Sequence, residues 1–346
     1  MKGPFSAFLN NISTDGIKEM REHEHMDKLL EVKNLTVGYG NIPVVQDAGM
    51  TLCKGEIVGL VGESGCGKST LLRTLMMLTD ENAHVMSGTI KFEDKNLVDM
   101  TEEQLRLIRG KDISMVFQNS AEACNPVQTI GYHFWETMNS HGEKHSKREC
   151  NEKAAELLKQ LRLQNPERIL KSYPFELSGG MNQRVGIALA MINNPKLILA
   201  DEPTSALDVT VQMQVLREMY DLKKEFQTAI VLVTHSIGVV AGLCDTVGVM
   251  YGGYIVEWGS CENLLSHPHH PYTKALIDAV PTESGKDPRG IPGIPPDFGT
   301  SMSGCPFAPR CSRASSQCEQ EMPKQLNVTD KHRVWCWHSE DDGGEN

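Results

Sequence analysis

Apolar residues along the chain fall into two kinds of pattern, and the two kinds alternate. Short unbroken runs stand at residues 57–61 (Ile-Val-Gly-Leu-Val), 197–200 (Leu-Ile-Leu-Ala) and 229–233 (Ala-Ile-Val-Leu-Val). Runs that short and that apolar predict strands buried on both faces of a parallel sheet. Residues 29–37 (Leu-Leu-Glu-Val-Lys-Asn-Leu-Thr-Val) predict a strand ending at Tyr39, and residues 87–92 and 112–117 predict two more. Residues 246–258, broken at Gly252-Gly253, read as a closing hairpin. The other pattern has helical spacing. It appears at Leu71, Leu72, Leu75, Met76 and Leu78, at Cys150, Ala154, Leu157, Leu158 and Leu161, at Val185, Ile187, Ala188, Ala190 and Met191, and from Val211 to about Phe226. Residues 128–172 lack strand patterns, and Tyr173-Pro174 closes them off as a helical insert. Strands and helices in alternation predict an α/β fold.

The strand at 57–61 feeds Gly62-x-x-x-x-Gly67-Lys68-Ser69, and a helix follows at once. Strand, glycine-rich loop and helix in that order form a phosphate cradle. Backbone N–H groups of residues 62–67, Ser64, Gly65 and Cys66 among them, turn toward phosphate oxygens, and the helix N-terminus adds partial positive charge. Lys68 reaches the β- and γ-phosphates; the Ser69 hydroxyl, with Thr70 beside it, ligates Mg²⁺. A chance glycine turn explains the loop but not both flanking elements.

Three further strand ends deliver polar side chains to the crevice where α/β sheets bind ligands. Gln118 suits contact with Mg²⁺ or with an attacking water. Asp201 and Glu202 are sent to different sides by strand alternation, so that Asp201 holds Mg²⁺ and Glu202 polarises the water. His235 ends the strand at 229–234; a lone strand-end histidine is usually structural, but this one shares the placement of Gln118 and Glu202. Ser178, a good N-cap, opens a helix with Gly179 and Gly180, a second anion-binding helix N-terminus about 110 residues after the first. Tyr39 suits an adenine stack or a strand-end core position equally.

Length and charge narrow the picture. The chain has 346 residues and a net charge of −11, which argues against a broad nucleic-acid footprint. No apolar run approaches the roughly 18–20 residues that span a bilayer. Met-Lys-Gly-Pro-Phe at the start carries no secretory apolar region, so a cytoplasmic protein is expected. Residues 1–25, with His23 and His25 around Glu24, read as a frayed tail. Of ten cysteines, Cys53, Cys66, Cys124, Cys150, Cys244 and Cys261 are scattered and read as small apolar fillers. Beyond residue 260 the chain becomes rich in Pro and Gly and carries Cys305, Cys311, Cys318 and Cys336. Their spacing fits neither the usual short zinc-finger pairing nor the ferredoxin patterns. Four thiols in a core-poor tail still suggest a metal staple, with free cysteines as the alternative.

Taken together, these residues resemble the ATP-binding subunits of ABC transporters over residues 26–260. Residues 62–70 resemble the Walker A motif, Gln118 the Q-loop, 177–183 the signature, 197–202 Walker B, 205–208 the D-loop and His235 the switch histidine. Tyr39 sits where that family places its adenine-stacking aromatic. A narrower resemblance is to the oligopeptide/dipeptide/nickel importer ATPases. It rests on Leu-Arg-Leu-Ile-Arg-Gly-Lys-Asp-Ile at 105–113, Asn125-Pro126, His270-Pro271-Tyr272-Thr273 and Gly-Cys-Pro-Phe-Ala-Pro-Arg-Cys at 304–311.

The resemblance implies a P-loop NTPase fold with an N-terminal tail (1–25), an ABC ATP-binding domain (26–260, helical insert about 120–184) and a small metal-stapled C-terminal extension (261–346). It implies ATP and Mg²⁺ as cofactors. For Cys305, Cys311, Cys318 and Cys336 it implies the ligand set of a [4Fe–4S] cluster, as in dipeptide-type members, with Zn²⁺ as the alternative. Two such chains would sit head to tail, Lys68, Ser69, Asp201 and Glu202 of one facing Ser178, Gly179 and Gly180 of the other across ATP. The implied partners are a second ATPase subunit, a paralogue in most of the family, two transmembrane permease subunits and an extracytoplasmic solute-binding protein; nucleic acid is not among them. That places the chain at the cytoplasmic face of the membrane. Asn182 stands where the family often has Arg, and Asn119-Ser120 replaces the more usual Asp-Pro after Gln118. A soluble ABC ATPase without a membrane partner competes with this reading, against a single nucleotide domain, an acidic balance and the importer-type tail. A scaffold with a dead ATPase is opposed by intact Lys68, Glu202 and His235. Dipeptide, oligopeptide and nickel-chelate cargo remain open.

Overall fold

The computed structural model describes residues 27–79, 82–204, 209–280, 290–297, 299–300 and 302–339. The expected N-terminal tail and the D-loop residues 205–208 lie outside them.

Strands β1 (Lys28–Tyr39) and β2 (Ile42–Cys53) pair antiparallel. After β3 (Ile57–Val61), the chain returns as β4 (Ala83–Phe92) on the other edge of β1, and β5 (Lys95–Asn96) closes this four-stranded layer. β2 has no counterpart among the strands expected from the sequence. Asp47 adopts a left-handed φ of 48°, so the pairing register shifts between Val45 and Ala48. That bulge breaks the period-two alternation by which a strand is recognised.

The second sheet has eight strands. β6 (Ile113–Val116), β7 (Leu197–Asp201), β8 (Ala229–Thr234), β3 and β9 (Thr246–Tyr251) run parallel, in that spatial order. Every residue of β3, β7 and β8 is buried, as the unbroken apolar runs predict. The pleat sorts these residues into two cores. Ile57, Val61, Ile198, Ala200, Ile230 and Leu232 join the core that includes the helical insert. Val58, Leu60, Leu197, Leu199, Val231 and Val233 join the core shared with β1, β2 and β4.

Between the strands lie α1 (Lys68–Thr74) and α2 (Glu102–Ile108), then the insert, α3 (Ile130–Asn139), α4 (Lys147–Gln160) and α5 (Pro166–Lys171). Helix α1 is a turn shorter than its apolar spacing predicts, because Met77 turns left-handed with a φ of 54°. Then come α6 (Gly179–Met191), α7 (Val209–Phe226) and α8 (Ile237–Leu243). Of the six scattered cysteines, Cys66, Cys150, Cys244 and Cys261 are buried as fillers should be, whereas Cys53 and Cys124 are half-buried.

The expected hairpin forms from β9 and β10 (Tyr254–Ser260). Helices α9 (Cys261–Ser266), α10 (Pro271–Asp278) and α11 (Ser316–Gln320) follow, then β11 (Leu326–Thr329) and β12 (His332–Val334). β12 pairs antiparallel with β10, setting Glu257 opposite Val334 and Trp258 opposite Arg333. The C-terminal extension therefore continues the main sheet, where composition alone suggested a core-poor tail. Glu257, fully buried, ties the two together: its carboxylate accepts the backbone N–H groups of His269 (2.8 Å) and His270 (3.0 Å) and lies 2.8 Å from His332 Nε2.

Candidate nucleotide site

Strand β3 hands the chain to Gly62, where a Cβ would come within 2.1 Å of the Met250 carbonyl oxygen. Only glycine fits so close an approach. Ser64 and Gly65 form the exposed crest of the loop, and Gly67 enters α1 with a φ of 98°. Cys66 is buried, and burial pushes its thiol pKa up, so it stays neutral. Lys68, 4% exposed, bends inside the curl of the loop. Its Nζ donates to the carbonyls of Gly62 (2.8 Å) and Glu63 (2.9 Å).

The Ser69 hydroxyl donates to Asp201 Oδ1 at 2.7 Å, joining the first turn of α1 to the end of β7. Two oxygens converging there beside the loop make the donor set Mg²⁺ prefers. Glu202 departs from the expected geometry. Its φ is 43°, so a left-handed backbone, and not the strand pleat, separates its carboxylate from that of Asp201. Gln118 Nε2 and His235 Nδ1 each lie 3.5 Å from Glu202 Oε2. Residues that follow four parallel strands, β3 with its loop, β6, β7 and β8, thus come together at the carboxyl ends of those strands. Thr70 lies in α1, its carbonyl accepting the Thr74 hydroxyl at 2.7 Å. Tyr39 is half-buried at the end of β1, opposite Ile42 on one side and Ala83 on the other.

Ser178, Gly179 and Gly180 stand apart from this cluster in their contacts. Ser178 N-caps α6, accepting the Met181 N–H at 3.4 Å, and a Cβ on Gly179 would meet nothing within 4 Å. The N-terminus of a thirteen-residue helix is therefore presented to solvent. Asn182, which stands where the family often has Arg, is buried and donates to the carbonyls of Pro174 (2.9 Å) and Leu177 (3.3 Å). Sequence reasoning missed the link between Gln118 and α6. Ser120 Oγ lies 3.1 Å from Gln183 Oε1, and Gln183 Nε2 donates to the Phe117 carbonyl at 3.4 Å. The family resemblance singles out each residue, Gln183 within 177–183 and Ser120 as a departure after Gln118, but no spacing or periodicity pairs them.

Cys305, Cys311, Cys318 and Cys336 line one small hollow together with His270 and Phe307. Burial pushes the Cys305 thiol up to about 11, with the neighbouring thiols adding to the shift, and burial raises those of Cys311 and Cys336. Among the described residues, no group of three His, Cys, Asp or Glu side chains is arranged to hold a metal ion. The four cysteines expected as a metal staple are thus gathered at one hollow, without a ready-made metal site among the described residues.

Residues 45–205 match the ABC transporter family, and residues 256–318 match the oligopeptide/dipeptide transporter C-terminal region. The Haemophilus influenzae oligopeptide transport ATP-binding protein OppD is 42% identical over 320 residues, covering 91% of this chain and 98% of that one. The chain belongs to the ATP-binding subunits of the oligopeptide/dipeptide ABC transporters. The Sinorhizobium fredii probable peptide ABC transporter ATP-binding protein y4tR is 42% identical over 92% of this chain and 98% of its own. The Bacillus subtilis dipeptide transport ATP-binding protein DppD is 40% identical over 90% of this chain and 95% of its own. Among solved structures, the dimeric ATP-binding cassette MJ0796, in a post-hydrolysis state with ADP and Pi, superposes with a TM-score of 0.61 at 28% identity. It covers 67% of this chain and 99% of that one. As a member of this family the chain is an ATPase that drives an importer. Among its described residues no helix is long and apolar enough to cross a membrane.

Proposed function

We propose that the chain hydrolyses ATP at residues 62–70, 118, 201, 202 and 235 to power uptake of di- or oligopeptides or related solutes. In this reading it works from the cytoplasmic face of the membrane, with a second ATPase subunit, two permease subunits and an extracytoplasmic binding protein. The observation that carries the reading is the Ser69–Asp201 contact at 2.7 Å, set beside a Glu202 carboxylate flanked by Gln118 and His235. The names of the relatives supply the cargo class.

Each residue then has a task. Lys68 exchanges its own loop's carbonyls for β- and γ-phosphate oxygens, while the N–H groups of Gly62, Ser64, Gly65, Cys66 and Gly67 line the cradle. Ser69, Asp201 and Gln118 would hold Mg²⁺, which neutralises charge on the phosphate oxygens. Glu202 orients and polarises the attacking water, and His235 steadies that carboxylate. Tyr39 offers its ring to the adenine. Ser178, Gly179 and Gly180 meet the ATP held by the other subunit, consistent with an open helix N-terminus. The test is the assembled transporter with peptide-loaded binding protein. Glu202→Gln should keep ATP binding while turnover falls by about 10²–10⁴, the scale of general-base assistance. Near-normal hydrolysis would reject the role of Glu202, and stimulation by a nickel chelate in place of peptide would reassign the cargo.

The four-cysteine hollow supports the second part of the reading, that Cys305, Cys311, Cys318 and Cys336 hold one [4Fe–4S] cluster as a structural staple. A [4Fe–4S] cluster takes four thiolates, and all four cysteines line this one hollow. Protein purified without oxygen should be brown, with about four irons per chain. Colourless protein with one zinc per chain would replace the cluster with a zinc site.

A further inference from the structure

Glu63, the residue after Gly62 in the phosphate loop, is held at three points, and two of them belong to the segment beyond residue 260. Its N–H donates to the Tyr272 hydroxyl at 2.9 Å. Its carbonyl accepts from Lys68 Nζ. Its carboxylate receives both arms of the Arg310 guanidinium, Nη1 to Oε2 at 2.6 Å and Nη2 to Oε1 at 3.1 Å.

The Arg310 side chain is only 4% exposed, and its remaining donors are taken by the Pro292 carbonyl (2.7 Å), the Ile291 carbonyl (3.2 Å) and the Tyr251 hydroxyl (3.1 Å). Tyr272 is fully buried, its ring packed against Tyr251 and Phe307. A planar fork on a carboxylate fixes direction as well as distance, and here the fork is itself immobilised.

We propose that Arg310 is a positioning residue of the nucleotide site: acting through Glu63, it holds the phosphate loop in the conformation that receives the triphosphate. The proposal rests on residues 62–70 being the phosphate cradle. Without the fork, Glu63 and the carbonyl that steadies Lys68 sample other orientations, and ATP must order them as it binds. The effect falls on affinity for ATP and spares the chemical step, because Arg310 hydrogen-bonds to none of Asp201, Glu202, Gln118 or His235 among the described contacts.

The experiment measures kcat and KM for MgATP in the assembled transporter. Arg310→Met and Glu63→Gln should each raise KM about tenfold, the scale of one charge-assisted hydrogen bond, and leave kcat within about twofold. Arg310→Lys should recover only part of the loss, since an ammonium cannot form the fork. The double variant Arg310→Met/Glu63→Gln should be no worse than either single one, as for two ends of one contact. Glu63→Gln leaves the extension's own residues untouched, so it decides the matter if Arg310→Met fails to fold. An unchanged KM in Glu63→Gln, or losses that add in the double variant, overturns the proposal. Lys68→Ala is run alongside: ATP binding that survives it would show that the cradle assignment, and not Arg310, is at fault.

Discussion

Gly186, on α6, lies against Ser120 with no room for a side chain: a Cβ there would stand 2.3 Å from Ser120 Oγ and 2.6 Å from its Cβ. Gly186→Ala should therefore cost about 1–3 kcal/mol of stability by overpacking, read as a lower urea midpoint, and Ser120→Gly in the same chain should recover part of it. An unchanged midpoint in the single variant would mean that the segment after Gln118 yields easily. At this scale the sequence marked the side chains that meet at the strand ends but not their supports. Lys68, Ser69, Asp201, Glu202, Gln118 and His235 were readable because each follows a strand or opens a helix, and strand ends converge. Ser120, Gln183 and Gly186 were not, because contacts between residues more than sixty positions apart leave no mark on local pattern.

The first turn of α6 is the element on which the proposed head-to-tail arrangement depends. Ser178→Arg should abolish hydrolysis in the assembled transporter while the isolated chain binds nucleotide almost as before. The expectation follows from an N-terminus whose contacts within this chain are local, so that the added cation clashes only when two subunits close. Loss of ATP binding by the isolated chain would place Ser178 in its own site instead. The elements themselves were unevenly legible. β3, β7 and β8 are unbroken apolar runs and could hardly be anything else, and α4 carries both its apolar stripe and a Ser146–Glu149 capping box. β2 escaped because of the bulge at Asp47, and β11 and β12 because strands of four and three residues are too short to show a period.

At the scale of the whole molecule, the extension and the ATP-binding domain share one sheet, and Glu257 is the charge at their junction. Burial alone would push its carboxyl up, but His332 and the N–H groups of His269 and His270 outweigh that and hold it below its ordinary 4.5. A carboxyl depressed in the fold stabilises fully above its unfolded value and loses that contribution as pH falls through the folded one. Thermal stability should thus drop on acidification below about pH 4.5. Glu257→Gln should cost about 1–3 kcal/mol at neutral pH, the scale for leaving buried hydrogen-bond partners unsatisfied, and show a flatter acid limb. An acid limb identical to that of the parent would assign the sensitivity to other groups. Composition had drawn a boundary near residue 260 because Pro and Gly crowd the chain there; pairing across that boundary is carried by backbone hydrogen bonds, to which composition is blind. The same pairing sets a timetable during synthesis. β10 is complete at Ser260, but the strand that covers its outer edge begins only at His332. At roughly 5–20 residues per second, the ribosome leaves that edge uncovered for about four to fifteen seconds after β10 is made. An apolar strand with one open side is a template for any other chain within reach. The nascent protein is thus most in need of a chaperone late in translation, after its ATP-binding core has already been made.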